Sequence, residues 1–196
     1  TYVVSGDQGE AVVVDPSSGC GAVLDYVRSS SLAVKGIVLT HGHFDHILGI
    51  PEIQQHHDVS VWVHPLEKVL LAQSGLNGSD IMGASYYYDG PVEELHEGEM
   101  RFGTIVTEVV HVPGHSPGGC AFIFDGAALV GDALFAGSVG RVDLPGGDGR
   151  ALLESIKGKL LTLPLETTVY PGHGNRTTVG REARTNPFLR DGALMF

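Results

Sequence analysis

The sequence predicts a fold of the α/β (α+β) class, in which short strands and helices are mixed along a chain of 196 residues. Short runs rich in β-branched residues recur along the chain, and stretches with apolar residues at helical spacing lie between them. No shift in composition and no Pro- or Ser-rich linker divides the chain, which predicts one domain over residues 1–196. The hydrophobic fraction of 42% is sufficient for a sizeable core without disulfide bonds.

The first part of the chain predicts a hairpin followed by alternating helices and strands. Strand-forming residues at 2–4 and 11–14 flank a polar turn at 5–9. Asp15-Pro16 ends the second strand. The pattern then predicts a short helix at 22–27, a buried strand at 35–40, a helix at 47–55, a strand at 59–63, and a helix at 65–73 that begins with proline.

The second part contains an irregular segment and then returns to strands. Residues 74–98 are rich in Gly, Asn and Asp and include three consecutive tyrosines, Tyr86, Tyr87 and Tyr88. We expect a surface excursion that either forms a lid or wall of a binding site or is packed onto the body by its aromatic side chains. The remaining pattern predicts strands at 104–110, 120–125 and 127–130, a helix at 151–161, and a strand at 167–170.

Charge and cysteine content exclude several classes of protein. The net charge of −11 repels phosphate backbones and anionic lipid head groups, so neither nucleic acid nor a membrane is an expected partner. No apolar run reaches the length of a transmembrane helix, and the first ten residues do not resemble a signal peptide, which makes the cytoplasm the expected location. Cys20 and Cys120 form no CxxC pair, and we expect both to be small buried residues.

Histidine is the residue type that stands out, with 10 in the chain. Four potential metal ligands follow directly after the apolar strand at 35–40: His41, His43, Asp45 and His46. Imidazoles two residues apart on a turn can converge on one ion, while the next two ligands point at a second. A buried polar cluster without compensation is costly, and metal coordination is the usual compensation.

Three further predicted strand ends carry a ligand beside a glycine: His115, Asp132 and His173. Ligands at the carboxyl ends of strands can meet in one cleft. Seven ligands are too many for one tetrahedral ion and suit two ions about 3–4 Å apart that share a carboxylate. The other histidines lack this context and are expected to be structural or solvated: His56, His57, His64, His96 and His111.

Four motifs, in this order, resemble those of the metallo-β-lactamase superfamily over nearly the whole chain: THGHFDHILG, PGHSPGG, GDALF and PGHG. The segments at 138–147 and 177–188 are similar to single-domain, glyoxalase II-like enzymes, which cleave hydroxyacylglutathione thioesters. The resemblance implies an αββα four-layer sandwich with a dinuclear site along one edge. It assigns His41, His43 and His115 to a first metal and Asp45, His46 and His173 to a second, with Asp132 bridging them. Two divalent ions are implied, with zinc favoured and iron or manganese as alternatives.

The resemblance also implies a reaction on a small-molecule substrate. A hydroxide that bridges the two metals would hydrolyse the thioester of an S-(2-hydroxyacyl)glutathione. Asp45 and Asp132 would be the catalytic residues that ligate and orient this hydroxide. Arg141 would bind a substrate carboxylate or, equally, form a structural salt bridge, and Asp143 is expected to anchor its own loop with Arg141 as partner.

Other functions stay open at this point. Close relatives of the glyoxalase II-like enzymes are glutathione persulfide dioxygenases with one iron, and lactonases use the same dinuclear chemistry. A metal-binding module without catalysis is disfavoured by the complete ligand set, and a nuclease or phosphodiesterase by the acidic charge. Penicillin hydrolysis is not expected, because Asp132 stands where β-lactamases of this fold typically have a cysteine and His46 is a ligand that they lack.

Overall fold

The structure is a computed structural model that describes residues 1–190. Two β-sheets pack face to face, and helices cover the outer face of each. This is the αββα sandwich that the sequence resemblance implies.

The first sheet has five strands in the order β1-β2-β3-β4-β5. Its strands are β1 (Tyr2–Ser5), β2 (Glu10–Val14), β3 (Ala33–Val38), β4 (Val61–Val63) and β5 (Val92–Glu94). The pair β1–β2 is antiparallel and the other pairs are parallel. Three helices lie on its outer side: α1 (Gly21–Ser29), α2 (Ile50–Gln54) and α3 (Lys68–Ala72).

The second sheet has six strands, which run in the order β13-β12-β9-β8-β7-β6. They are β6 (Gly98–Phe102), β7 (Ile105–His111), β8 (Cys120–Phe124), β9 (Ala127–Gly131), β12 (Thr168–Pro171) and β13 (Thr177–Thr178). A small hairpin, β10 (Leu134–Phe135) and β11 (Ser138–Val139), follows β9. Helices α4 (Gly149–Ser155) and α5 (Val179–Thr185) cover the outer face.

Three apolar clusters hold these layers together. The central cluster joins Val12, Val14 and Val38 of the first sheet to Phe122 and Leu129 of the second. Each outer cluster joins one sheet to its helices. The hydrophobic effect is proportional to the apolar area removed from water, so burial on both faces of each sheet fixes the four layers.

The predicted strands and helices are present, with shifted bounds and several omissions. The expectation that residues 74–98 are irregular is wrong at its end, because β5 lies there as a short strand with two glutamates that lacks apolar alternation. The helix predicted at 151–161 begins two residues earlier, where the Asp148 carboxylate accepts hydrogen bonds from the amides of Arg150 and Ala151, and it ends in a π-helical turn, Ile156–Leu160. Elements that the sequence did not predict are α5, the five-residue strand β6 and three two-residue strands, β10, β11 and β13.

Other expectations about the chain can be compared with the described residues. Cys20 and Cys120 are both buried free thiols, as expected. Tyr86 packs against the helix side of the first sheet and donates to the Ile47 carbonyl, whereas Tyr87 is exposed. Within residues 1–190, no helix has the length and apolar character that crossing a bilayer requires.

Candidate metal centre

The seven ligands predicted from the sequence lie at one edge of the sandwich. His41 and His43 follow β3, and the next residues form a 3₁₀ turn, Phe44–His46. The helix predicted at 47–55 is observed as α2, Ile50–Gln54. Asp132 directly follows β9, and His173 closely follows β12. These two strands are parallel neighbours, so their carboxyl ends lie side by side.

The first group of potential ligands consists of His41, His43 and His115. One nitrogen from each ring lies within 4.8 Å of the others, and all three side chains are buried. His43 Nδ1 lies 2.9 Å from His115 Nε2. Three buried imidazoles that converge in this way match the histidine set of a protein metal site.

The second group consists of Asp45, His46 and His173, whose ligand atoms also lie within 4.8 Å of one another. His173 Nε2 lies 2.9 Å from Asp45 Oδ2. The His46 side chain is 4% exposed and that of His173 is 58% exposed. The second group therefore runs from the protein interior to the open side of the site.

Asp132 lies between the two groups. Its Oδ2 is 3.7 Å from His115 Nε2 and 3.5 Å from His173 Nε2, and its Oδ1 is 3.4 Å from His46 Nε2. The carboxylate thus reaches both groups. Gly172 makes this approach possible, because a Cβ at that position would overlap Asp132 Oδ1.

The donor atoms of these residues fit bound cations. Five side-chain atoms are buried without a hydrogen-bond partner in the described part of the chain: the Ser116 hydroxyl, His41 Nε2, His43 Nε2, His46 Nε2 and Asp132 Oδ1. Each buried polar atom without a partner costs about 1–3 kcal/mol. The last four belong to the converging groups, and coordination of divalent ions would satisfy them.

Burial and the neighbouring carboxylates shift the histidine pKa values of the centre in opposite directions. Burial and the neighbouring imidazoles hold the pKa of His41 well below its usual value, and burial together with His115 lowers the pKa of His43 to about 3. Burial acts against protonation of His46 as well, but the Asp15 and Asp132 carboxylates outweigh it and raise the pKa of His46 to about 10. His41 and His43 therefore offer free lone pairs, and positive charge is favoured beside the carboxylates.

Asp15 supports the centre from behind, a role that the sequence analysis missed. Its carboxylate accepts hydrogen bonds from the Thr40 amide at 2.7 Å and the Thr40 hydroxyl at 2.6 Å, and its Oδ2 lies 3.0 Å from His46 Nδ1. With Nδ1 engaged, the Nε2 atom of His46 points into the site. Asp15 directly follows β2, just as Asp132 directly follows β9. This shared position at a strand end was the sequence signal that could have indicated a role for Asp15 at the centre.

An open cavity of about 440 Å³ lies over the centre. Its wall includes apolar residues from the 3₁₀ turn after β3, the 74–98 excursion, strand β10 and the loop after β11: Phe44, Ile81, Met82, Phe135 and Leu144. The 74–98 excursion was expected either to pack onto the body or to form part of the wall of a site, and different residues of it do each. Tyr86 packs inward, while Ile81 and Met82 face the cavity.

Arg141 also lines the cavity and is paired with Asp143. The guanidinium donates from Nε to Asp143 Oδ1 at 2.6 Å and from Nη2 to Oδ2 at 2.8 Å. This contact lowers the pKa of Asp143 to about 2. Arg141 therefore forms the salt bridge that is one of its two expected roles. Its side chain also lines the cavity, where a substrate carboxylate could contact it.

Two of the histidines expected to be structural lie outside this centre. His64 and His111 stack with ring centroids 4.4 Å apart. His64 Nδ1 accepts from the Leu66 amide, and His111 Nε2 lies 3.0 Å from the Pro117 carbonyl. Among the described residues, the groups of potential metal ligands are confined to the cavity edge and its supporting Asp15.

An αββα sandwich with converging His and Asp side chains at one edge defines the class of metallo-hydrolases. The chain belongs to the metallo-beta-lactamase superfamily, whose family model matches residues 1–173. Among curated proteins, it is similar to the probable metallo-hydrolase YqgX of Bacillus subtilis (strain 168). The two are 40% identical over 197 residues, which covers 98% of this chain and 92% of that protein.

A second relative has a more specific name, the hydroxyacylglutathione hydrolase GloC of Haemophilus influenzae. It is 34% identical over 193 residues, covering 93% of this chain and 89% of that protein. The solved structure of BLEG-1, described as a B3 metallo-beta-lactamase, has a TM-score of 0.91 and 38% identity, with 96% of this chain and 92% of that chain covered. A di-iron-bound form of TTHA1623 has a TM-score of 0.86 and 42% identity, with 96% and 93% covered.

Proposed function

We propose that this protein is a metal-dependent thioester hydrolase that acts on S-(2-hydroxyacyl)glutathione. The observation that carries the proposal is the position of Asp132, whose two oxygens face both groups of histidines. One cation would be held by His41, His43 and His115 and a second by Asp45, His46 and His173, with Asp132 shared. The similarity to a protein named as a hydroxyacylglutathione hydrolase supports the choice of substrate.

We call the buried or nearly buried residues beneath the cavity its floor: His41, His43, His46, His115 and Asp132. They would organise the hydrolysis. Two bound divalent cations, zinc or alternatively iron or manganese, lower the pKa of water and polarise a carbonyl oxygen. Asp45 Oδ2 lies at the border between the floor and the cavity, where it would accept a hydrogen bond from the attacking water and orient it. The water would lose one proton to solvent by way of Asp45 as its oxygen bonds to the thioester carbonyl carbon. The carbon–sulfur bond would then break, the thiolate would leave and take up a proton from solvent, and the carboxylic acid product would release the second proton of the water to solvent.

The cavity wall would bind the two ends of the substrate. Arg141 is exposed at the cavity and keeps donors available beyond the two that Asp143 occupies, so it would bind a carboxylate of the thiol portion. The apolar side chains Ile81 and Met82 line the same cavity and would contact the acyl portion.

β-Lactam hydrolysis is a second candidate, because the solved structure with a TM-score of 0.91 is described as a B3 metallo-beta-lactamase. That similarity weakens the sequence argument against penicillin hydrolysis, which rests on the Asp132 and His46 positions. A β-lactam carbonyl and a thioester carbonyl require the same polarised water, so the floor alone does not distinguish the two substrates.

The test combines metal analysis with three assays on one preparation. Elemental analysis gives the ions bound per chain, and thiol release, β-lactam ring opening and oxygen uptake with glutathione persulfide are measured in parallel. Two ions per chain with thiol release as the fastest reaction are the expected result. Ring opening without thiol release would overturn the proposal in favour of β-lactam hydrolysis. One iron per chain with oxygen uptake would overturn it in favour of glutathione persulfide dioxygenation.

A further inference from the structure

Glu67 is a fully buried carboxylate that belongs neither to the two ligand groups nor to the cavity wall. It ends the 3₁₀ turn Pro65–Glu67 before α3, and its side chain has no exposed surface. Its Oε2 accepts a hydrogen bond from the Gly42 amide at 2.7 Å, and its Oε1 accepts one from the Gly118 amide at 2.5 Å. Each oxygen therefore holds a different backbone segment.

The two amides belong to the two loops that carry the first ligand group. Gly42 lies between His41 and His43 in the loop after β3 of the first sheet. Gly118 lies three residues after His115 in the loop between β7 and β8 of the second sheet. Glu67 therefore ties the two sheets together where His43 Nδ1 and His115 Nε2 meet at 2.9 Å.

Glycine at both positions leaves room for this contact. A Cβ at position 42 would lie 3.2 Å from Glu67 Oε2 and 3.0 Å from Leu70 Cβ. A Cβ at position 118 would lie 3.0 Å from Glu67 Oε1 and 2.9 Å from Glu67 Cγ. The glycines of the HGH and SPGG motifs thus allow the backbone to approach one carboxylate.

The hydrogen bonds described for Glu67 come from backbone amides rather than from a cation. Burial raises the pKa of Glu67, and the Gly42 and Gly118 amides, followed by the Ser116 side chain, act in the opposite direction. A carboxylate is costly to bury, and two amide donors aimed at its two oxygens are the arrangement that offsets this cost. Two acceptors in one rigid group are also what is needed to join two amides.

We propose that Glu67 is a positioning residue for the metal centre: by holding Gly42 and Gly118 it sets the separation of His43 and His115. The proposal rests on the metal site assigned under the proposed function and not on the thioester substrate. Residues that orient ligands in this way affect metal affinity about 10- to 100-fold.

The test compares Glu67→Gln with Glu182→Gln. Glu182 is a matched control because it is also fully buried and also holds backbone and side-chain donors: the Gly137 amide at 2.8 Å, the Asn186 amide group at 2.9 Å and the Thr177 hydroxyl at 2.5 Å. None of these three donors lies in the loops that carry His43 and His115. The readouts are zinc affinity by competition with a chromophoric chelator and the absorption spectrum of the cobalt-substituted protein.

Glu67→Gln is expected to weaken zinc binding about 10- to 100-fold and to shift the cobalt absorption bands, while Glu182→Gln leaves both unchanged even if it lowers the melting temperature equally. An unchanged affinity and spectrum in Glu67→Gln, or equal changes in both variants, would overturn the proposal. If Glu67→Gln does not fold, Glu67→Asp decides by the same criteria, because it keeps the charge but cannot span both amides. Thioester hydrolysis is not a readout, so failure of the proposed substrate leaves this result interpretable.

Discussion

The floor of the cavity differs from its mouth in exposure and in the number of partners that each side chain has. We use mouth for Ile81, Met82 and Arg141. The floor side chains are buried or nearly so, whereas Ile81 is 71% exposed and Met82 is 69% exposed. Buried groups with fixed partners define which reaction is possible, and exposed groups define which molecule is accepted.

The floor histidines are held from behind by hydrogen bonds to neighbouring side chains and to a backbone carbonyl. Asp15 and Thr40 hold His41 and His46, and the Arg141 carbonyl lies 2.8 Å from His115 Nδ1. At the mouth, Arg141 has an ion-pair partner on its own loop, and such exposed pairs contribute little to rigidity. Substitutions at the two places should therefore have effects of different kinds.

The largest effect is expected from His43→Ala at the floor. This change removes a ligand from the first group, so the variant should lose bound metal, and kcat/KM for a thioester should fall at least about a thousandfold. Metal ions contribute several kcal/mol of transition-state stabilisation, and about 1.4 kcal/mol corresponds to a factor of ten. Elemental analysis and thiol release on the same preparation provide the measurement.

His57→Ala is the matched control, because this histidine is only partly buried and lies away from the cavity. It should keep the metal and the activity of the unchanged protein. Full turnover in a metal-free His43→Ala preparation would contradict the assignment of the floor.

A smaller effect is expected from the double variant Ile81→Ser with Met82→Ser at the mouth. Removing two apolar contacts should lower kcat/KM about threefold to tenfold for thioesters with long apolar acyl groups and leave short hydroxyacyl thioesters nearly unchanged. Metal content should not change. Leu165→Ser is the control, because Leu165 is 57% exposed and does not line the cavity; an equal loss in this variant would show that the mouth does not select the acyl group.

A still smaller effect is expected at Arg141. Arg141→Ala should raise KM about twofold to fivefold for a substrate that carries carboxylates, with kcat unchanged, since an exposed ion pair contributes modestly. Asp143→Asn should lower KM for the same substrate, because it removes the carboxylate that competes for the guanidinium. A change in kcat rather than KM would mean that Arg141 acts in the hydrolysis step, as proposed for the floor residues, and not in substrate binding.

The convergence of the floor residues could be predicted from the sequence, because the motifs use the few residue types that can ligate metals and place them at strand ends. His41, His43 and Asp45 are close in sequence, and His115, Asp132 and His173 each stand beside glycine. The structure brings all of them together, as the motif pattern required. The strands and helices with clear periodicity were also predictable, whereas β10, β11 and β13 have two residues each and leave no period to detect.

The supporting residues and the mouth could not be predicted because their roles depend on tertiary contacts. Glu67 lies in a stretch that predicts a helix, and nothing in that stretch indicates that its carboxylate reaches Gly118. Ile81 and Met82 lie in a segment with no regular pattern, and their position at the cavity follows from the buried Asn77 and Ser79 side chains that hold the Tyr86 carbonyl beneath them. Such contacts between distant segments leave no mark in local periodicity.

The smallest effect is expected from Glu10→Gln, which tests a group that has several partners but lies far from the floor. Glu10 begins β2, the strand whose other end leads to Asp15. Its carboxylate bonds to Lys35 Nζ at 2.9 Å and accepts hydrogen bonds from the Thr104 amide and hydroxyl. The contact with Lys35, followed by those with Thr104, lowers the pKa of Glu10 to about 2.

The sign of the pH dependence follows from this lowered pKa. The unfolded chain, with a glutamate pKa of about 4.3, binds the proton more readily than the folded one, so the stabilisation is present above about pH 5 and is lost as the pH falls toward 2. The melting temperatures of the metal-free unchanged protein and metal-free Glu10→Gln should therefore differ by a few degrees at pH 6, and the difference should shrink as the pH falls through 4 toward 2. A difference as large at pH 3 as at pH 6 would contradict this assignment, and a loss of metal affinity in Glu10→Gln at pH 7 would mean that the far end of β2 is coupled to the floor.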